Sequence, residues 1–126
     1  MRLATWNINR CRHNSARADR LQKGMEQVNA DIWVLTETHI DFSPGPNFRL
    51  LAHSDDAPDR NAEDGECWVA VWSRLDGDCV QLTADRERVA AAKIDDCVVV
   101  GTVLPWLSDR REPTLTGSAL FCKRLS

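Results

Sequence analysis

The chain has 126 residues, with 16 Lys and Arg against 19 Asp and Glu and a formal net charge of −3. Its 43% hydrophobic and 28% charged residues are the composition of an ordinary globular protein, and the length suggests one domain. The faintly acidic balance excludes a broad basic field for sequence-independent capture of nucleic acid, while leaving room for local phosphate contact through a metal. No apolar run approaches the roughly 20 residues of a membrane helix. The N-terminus carries no apolar leader, so no signal peptide is expected. The five cysteines, Cys11, Cys67, Cys79, Cys97 and Cys122, are odd in number and scattered. That points to a reduced, cytoplasmic setting rather than a disulfide framework. Cys11 and His13 make one close Cys/His pair with no second pair to complete it, so structural zinc is not expected.

Residues 2–9 form the first expected strand. Alternation puts Leu3, Thr5, Asn7 and Asn9 on one face and Ala4, Trp6 and Ile8 on the other. Residues 15–29 read as a helix, with Leu21, Met25 and Val28 at helical spacing, an Asp19/Lys23 pair, and Asn14 or Ser15 as cap. Residues 31–37 follow as a strand apolar on both faces, as in a covered central strand. Strand, helix and strand with short joins predict a right-handed parallel crossover, whose strand ends open on one edge.

Residues 47–53 are a short expected strand, and the polar run 54–66, with Pro58, Asn61 and Gly65, is a loop. Residues 67–75 form a strand with Trp68, Ala70 and Trp72 on one face. Asp76-Gly77 is a hairpin signal leading into 79–82. Residues 88–94 and 97–104 flank Asp95-Asp96 as two more strands of an antiparallel meander. A polar loop follows Pro105-Trp106, and 116–126 starts like a helix, with Leu120, Phe121 and Arg124 at helical spacing. No repeat, low-complexity segment or dividing linker interrupts the chain.

Two strings carry the chemistry. Trp6-Asn7-Ile8-Asn9 and Thr36-Glu37-Thr38 each end a buried strand in polar groups that buried strands normally avoid. Two amides and a carboxylate at neighbouring strand ends can hold a divalent cation and orient a phosphate. The plain alternatives are a strand-end carboxylate paired with an arginine, and a buried amide bonded to backbone.

These strings, the strand from Trp68 to Arg74, and Gly101-Thr102-Val103-Leu104-Pro105-Trp106 together resemble, in order and spacing, the N-terminal half of the endonuclease/exonuclease/phosphatase superfamily. Its members include exonuclease III-like nucleases and deoxyribonuclease I-like enzymes. The resemblance implies an α/β fold, a mixed β-sheet with a flanking helix forming one half of a four-layer sandwich, with residues 1–126 as a single partial domain. It implies Asn7 and Glu37 as catalytic residues, Glu37 and Asn9 at a Mg2+ or Mn2+ ion, and Asn7 toward a phosphoester substrate, nucleic acid among the candidates; beside it, Trp106 could stack on a base and Arg110 could contact phosphate. The favoured readings are plainer: Trp106 packs loop to core, Arg110-Arg111 is a solvated pair, and His13 and His53 are surface histidines, as is His39, which follows the motif and could also face the cleft.

The sequence departs from the family pattern in two ways. Its Gly-Asp-x-Asn and Ser-Asp-His motifs do not occur here, and Val103 stands where many family nucleases place His or Tyr. The general-base half is thus missing, and hydrolysis by the chain alone is expected to be negligible. The competing expectation is a non-catalytic interaction module, either a degenerate relative or a subunit completed by another chain. A half sandwich also predicts an uncovered sheet face at Val98, Val99, Val100, Val103 and Leu104, an open last strand, and self-association or marginal stability.

Overall fold

The computed structural model describes residues 1–56 and 62–104, and the backbone of 118–124. In chain order the elements are β1 (Leu3–Asn7), α1 (Ala16–Val28), β2 (Ile32–His39), β3 (Arg49–His53), β4 (Glu66–Ser73), β5 (Asp78–Val80), β6 (Val89–Ile94), β7 (Cys97–Val103) and β8 (Ser118–Arg124). They form two four-stranded sheets, ordered β1-β2-β4-β3 and β5-β6-β7-β8.

The first sheet is mixed. β1 pairs parallel with β2, Leu3 opposite Ile32 and Asn7 opposite Thr36. β4 runs antiparallel to both β2 and β3. The crossover helix begins at Ser15, whose Oγ accepts the Ala18 N–H at 3.2 Å, and ends at Asn29, which turns left-handed at φ 54° and donates its N–H to Met25 O. It buries Ala18 and Met25 against the sheet, while Val28 stays outside at 51% exposure. The helical spacing of Val28 was therefore no guide to burial; the apolar stripe runs through Ala18, Leu21 and Met25.

Each face of the first sheet has its own core. On the helix side Trp33, Leu35, Ala70 and Trp72 pack with Ile8, Ala18, Met25 and Phe42. On the other side Ile32, Val34, Val69 and Val71 meet Ala90, Ala92, Ile94, Val99 and Val103 of the second sheet. The result is a helix layer, a mixed sheet and an antiparallel sheet, a partial α/β sandwich.

Four local expectations change. Residues 118–124 form strand β8, antiparallel to β7, rather than a helix, so β7 is an inner strand. A run this short fits helical and alternating spacing alike, and the free side of β7 supplies a ladder that decides it. The sheet face expected to lack a partner sheet has one: Val99 and Val103 are buried against the first sheet, Val98 and Val100 are half-buried, and Leu104 is exposed.

Asp76-Gly77 is a corner between sheets instead of a hairpin, because β5 pairs with β6 and not with β4. The Ser73 Oγ turns the chain there, donating to Leu75 O and accepting the Leu75 N–H. A Cβ on Gly77 would lie 2.7 Å from both Ile94 Cγ1 and Lys93 O, so glycine permits the approach. Finally, Trp68 leaves the face of Ala70 and Trp72 and packs toward the second sheet. Alternation breaks between Cys67 and Val69, which lie in different cores although their positions share parity.

Candidate functional site

β1 and β2 are parallel, so their C-terminal ends lie on one edge. The ladder extends past Asn7 through Ile8 N–H to Thr36 O at 3.1 Å and Arg10 N–H to Glu37 O at 2.7 Å. Three non-glycine residues there adopt left-handed backbone: Asn9 (φ 48°), Arg10 (φ 52°) and Glu37 (φ 47°). Each costs on the order of 1–2 kcal/mol, less for Asn. Glu37 sits between the paired positions Thr36 and Thr38, and its conformation interrupts the strand without ending it.

This backbone brings two of the expected residues into contact. Asn7 Nδ2 donates to Glu37 Oε1 at 3.1 Å, and Asn7 Oδ1 accepts the Asn9 N–H at 2.9 Å. The Asn7 amide is thus fixed at both ends and orients the carboxylate. Glu37 Oε2 has no hydrogen-bond partner among the described residues. Asn7 and Asn9 are exposed and Glu37 is half-buried.

Asn9 reaches this edge by a different route from the one expected. β1 ends at Asn7, and Asn9 lies on a turn closed by the Asn7 side chain rather than two places further along a strand face. The Asn7 side chain closes an Asx turn on the Asn9 N–H, and left-handed Asn9 and Arg10 turn the chain while the last ladder bonds to β2 are still made. Val103 belongs to the core between the sheets, so its side chain does not stand at this edge. Trp106, Arg110 and Arg111 lie outside the described residues.

The residues that hold the edge were not anticipated. Arg17, in the first turn of α1, donates to Ile8 O at 3.1 Å and to Asn9 O at 3.5 Å. The Arg10 guanidinium sits 5.3 Å from the Trp68 ring centroid and 4.0 Å from Glu66 Oε2. The signal was present as arginines flanking the asparagine string, but their targets are backbone carbonyls and the distant strand β4. Nearby Cys67 is buried. Burial first, then the Asp56 carboxylate, pushes its thiol up to about 12, so it is no nucleophile near neutral pH.

Glu37 fits one ligand position of a hard divalent cation, which binds through one or two carboxylates and keeps several waters. The exposed amide of Asn9 is the other oxygen donor within the turn. Glu66 Oε2 lies at the 4.0 Å limit of an ion pair with Arg10 and makes no hydrogen bond among the described residues.

The layers, with the polar edge at the ends of β1 and β2, make a partial α/β sandwich. Among solved structures, the fold matches the endonuclease domain of TRAS1, a telomere-specific non-LTR retrotransposon, at a TM-score of 0.50 and 17% identity. The match covers 79% of this chain and 42% of that one, and at this identity it is a likeness of fold. No family model and no curated protein matches the sequence. Among the described residues no helix is long and apolar enough to cross a membrane, and Cys11, Cys67, Cys79 and Cys97 are free thiols.

Proposed function

We propose that the Asn7–Glu37 edge is one wall of a site for metal-dependent phosphoester cleavage, with nucleic acid as the substrate class. The observation that supports this reading is the Asn7–Glu37 hydrogen bond on a backbone strained at Asn9, Arg10 and Glu37. Strain of this kind persists where surrounding structure enforces it, and it clusters at functional sites. Glu37 would be the carboxylate ligand of Mg2+ or Mn2+, Asn9 would lie beside the ion, and Asn7 would hold Glu37 and meet a phosphoryl oxygen. A bound divalent cation supplies charge neutralisation at the phosphoryl and leaving oxygens.

These 126 residues contain no Ser-Asp-His string to activate water. Loss of a general base alone slows such reactions by about 10²–10⁴, so the chain by itself is a binder of metal and phosphate and a negligible hydrolase. The test is Mn2+ titration of wild type and Glu37→Gln, beside hydrolysis of DNA, RNA and a generic diester with Mg2+ or EDTA. Binding lost in Glu37→Gln, with hydrolysis at background, is the expected result. Equal Mn2+ binding by both proteins overturns the site. EDTA-sensitive turnover abolished by Glu37→Gln keeps the site and overturns the inactive half.

One observation favours a second reading, an interaction module completed by another chain. β1 is the outer strand of its sheet among the described residues, and its Thr5, Trp6 and Asn7 are exposed. Such an edge accepts an added strand. A strictly monomeric species by light scattering across concentration would remove self-association from this reading.

A further inference from the structure

The same end of the parallel pair gathers two imidazoles and a carboxylate that the proposed function does not use. His13 comes from the loop after β1, His39 is the last residue of β2, and Asp41 follows it. Their ligand atoms all lie within 4.8 Å of one another. The two rings stack, with centroids 4.7 Å apart and planes at 29°.

His39 is not the surface residue expected from sequence. Its Nε2 lies 2.8 Å from Asp64 O, and its Nδ1 accepts the Asp41 N–H at 3.0 Å. Nε2 therefore carries the proton and donates to the carbonyl, and the Nδ1 lone pair faces Asp41, whose Oδ2 is 3.8 Å away. An N–H held by a backbone carbonyl is how proteins fix the tautomer and aim of a metal-ligating imidazole. Gly65 makes the seat for the ring. It sits at φ +88°, and a Cβ there would lie 2.7 Å from both His39 Cε1 and Nε2. His13 and Asp41 are exposed and able to turn.

We propose that His13, His39 Nδ1 and Asp41 bind a borderline first-row divalent cation, zinc(II) foremost, as three protein ligands with water in the fourth position. Two imidazoles and a carboxylate are a zinc-type donor set, whereas the all-oxygen donors at Glu37 suit magnesium or manganese. Zinc bonds of about 2.0–2.2 Å place tetrahedral ligand atoms roughly 3.3–3.5 Å apart. His13 and Asp41 would close in to reach that spacing, and the Asp41 N–H would give up its bond to Nδ1. The cluster is invisible to sequence spacing because its ligands come from two strand ends joined by the fold. A bound ion would clip the loop carrying Asn9 and Arg10 to the end of β2.

The test is titration of the reduced full chain with Zn2+ and Co2+, in excess Mg2+, for wild type, His13→Ala, Asp41→Asn and Glu37→Gln. Wild type is expected to bind one Zn2+ and melt several degrees higher. Its Co2+ form is expected to show tetrahedral visible absorption without the near-ultraviolet thiolate charge-transfer band. His13→Ala and Asp41→Asn, both at exposed positions, should each weaken affinity more than about 10-fold while melting like the metal-free wild type. Glu37→Gln should leave zinc affinity unchanged, which separates this site from the phosphoester reading. Absence of Zn2+ binding, affinity indifferent to His13→Ala and Asp41→Asn, or a thiolate band in the Co2+ form overturns the proposal.

Discussion

The space between the two sheets and the edge where β1 and β2 end follow opposite rules. Between the sheets the chain uses Val34, Val69 and Val71 against Ala90, Ala92, Ile94 and Val99, all in regular strands. Small residues let the layers close. Gly101 is the extreme case, since a Cβ there would lie 2.5 Å from Val34 Cγ1 and 2.6 Å from Val69 Cγ1. At the strand ends the chain uses Asn7, Asn9, Arg10 and Glu37, partly exposed and in left-handed backbone. The interior stabilises through apolar burial, about 25 cal/mol per Å². The edge spends some of that stability on a fixed polar geometry. What holds this fold is thus separate from what it presents.

Substitutions that leave the contrast intact or erase it should follow this division. The largest effect is expected at Ile94, which is fully buried between the sheets. Ile94→Ala should cost about 2–5 kcal/mol by chemical denaturation. Gly101→Ala should cost about 1–3 kcal/mol through overpacking, while leaving the proposed Mn2+ binding at Glu37 unchanged. If Gly101→Ala proved neutral, the two sheets would be less closely apposed than described.

A smaller, pH-dependent effect belongs to Asp31, at the opposite end of the parallel pair. The Arg2 backbone N–H (2.6 Å), then the Arg74 guanidinium, hold its carboxyl below the usual carboxylate range. A depressed folded-state pKa contributes stability that is present above the unfolded value, about 3.9, and is lost as pH falls toward the folded one. Asp31→Asn should therefore be less stable than wild type at neutral pH, and the gap should narrow below about pH 4. A gap that stayed constant with pH would assign the loss to packing.

The smallest stability change is expected at Glu37. Glu37→Gly relieves φ 47° and should move stability by no more than about 1 kcal/mol, with a gain permitted, while removing the proposed ligand. A loss of several kcal/mol would make Glu37 a structural residue and collapse the distinction between edge and interior.

Much of this was readable in the chain itself. The β1–α1–β2 unit announces itself through apolar strands, a Ser15 cap and short joins, all local signals. Asn7 and Glu37 stood out because polar residues closed apolar strands, and the fold does bring their side chains together. The division into two sheets was not readable, because Asp76-Gly77 looks the same whether the next strand folds back or crosses to another layer. β8 was missed because its pairing depends on β7 rather than on its own residues. The turn at Asn9, the face of Trp68 and the grip of Arg17 all depend on where a ladder breaks, which side-chain alternation does not encode.

The strand order β1-β2-β4-β3 has a consequence for how the chain acquires its shape. β3 precedes β4 in sequence, yet it reaches the sheet only through β4, which pairs with β2 on one side and β3 on the other. Until Glu66–Ser73 docks, one edge of β2 has no ladder and β3 has no seat. The sheet is therefore expected to complete itself out of chain order, once β4 is in place. The amides of β2 and β4 should be the last to exchange with deuterated water, and those of β1 and β3 should exchange earlier.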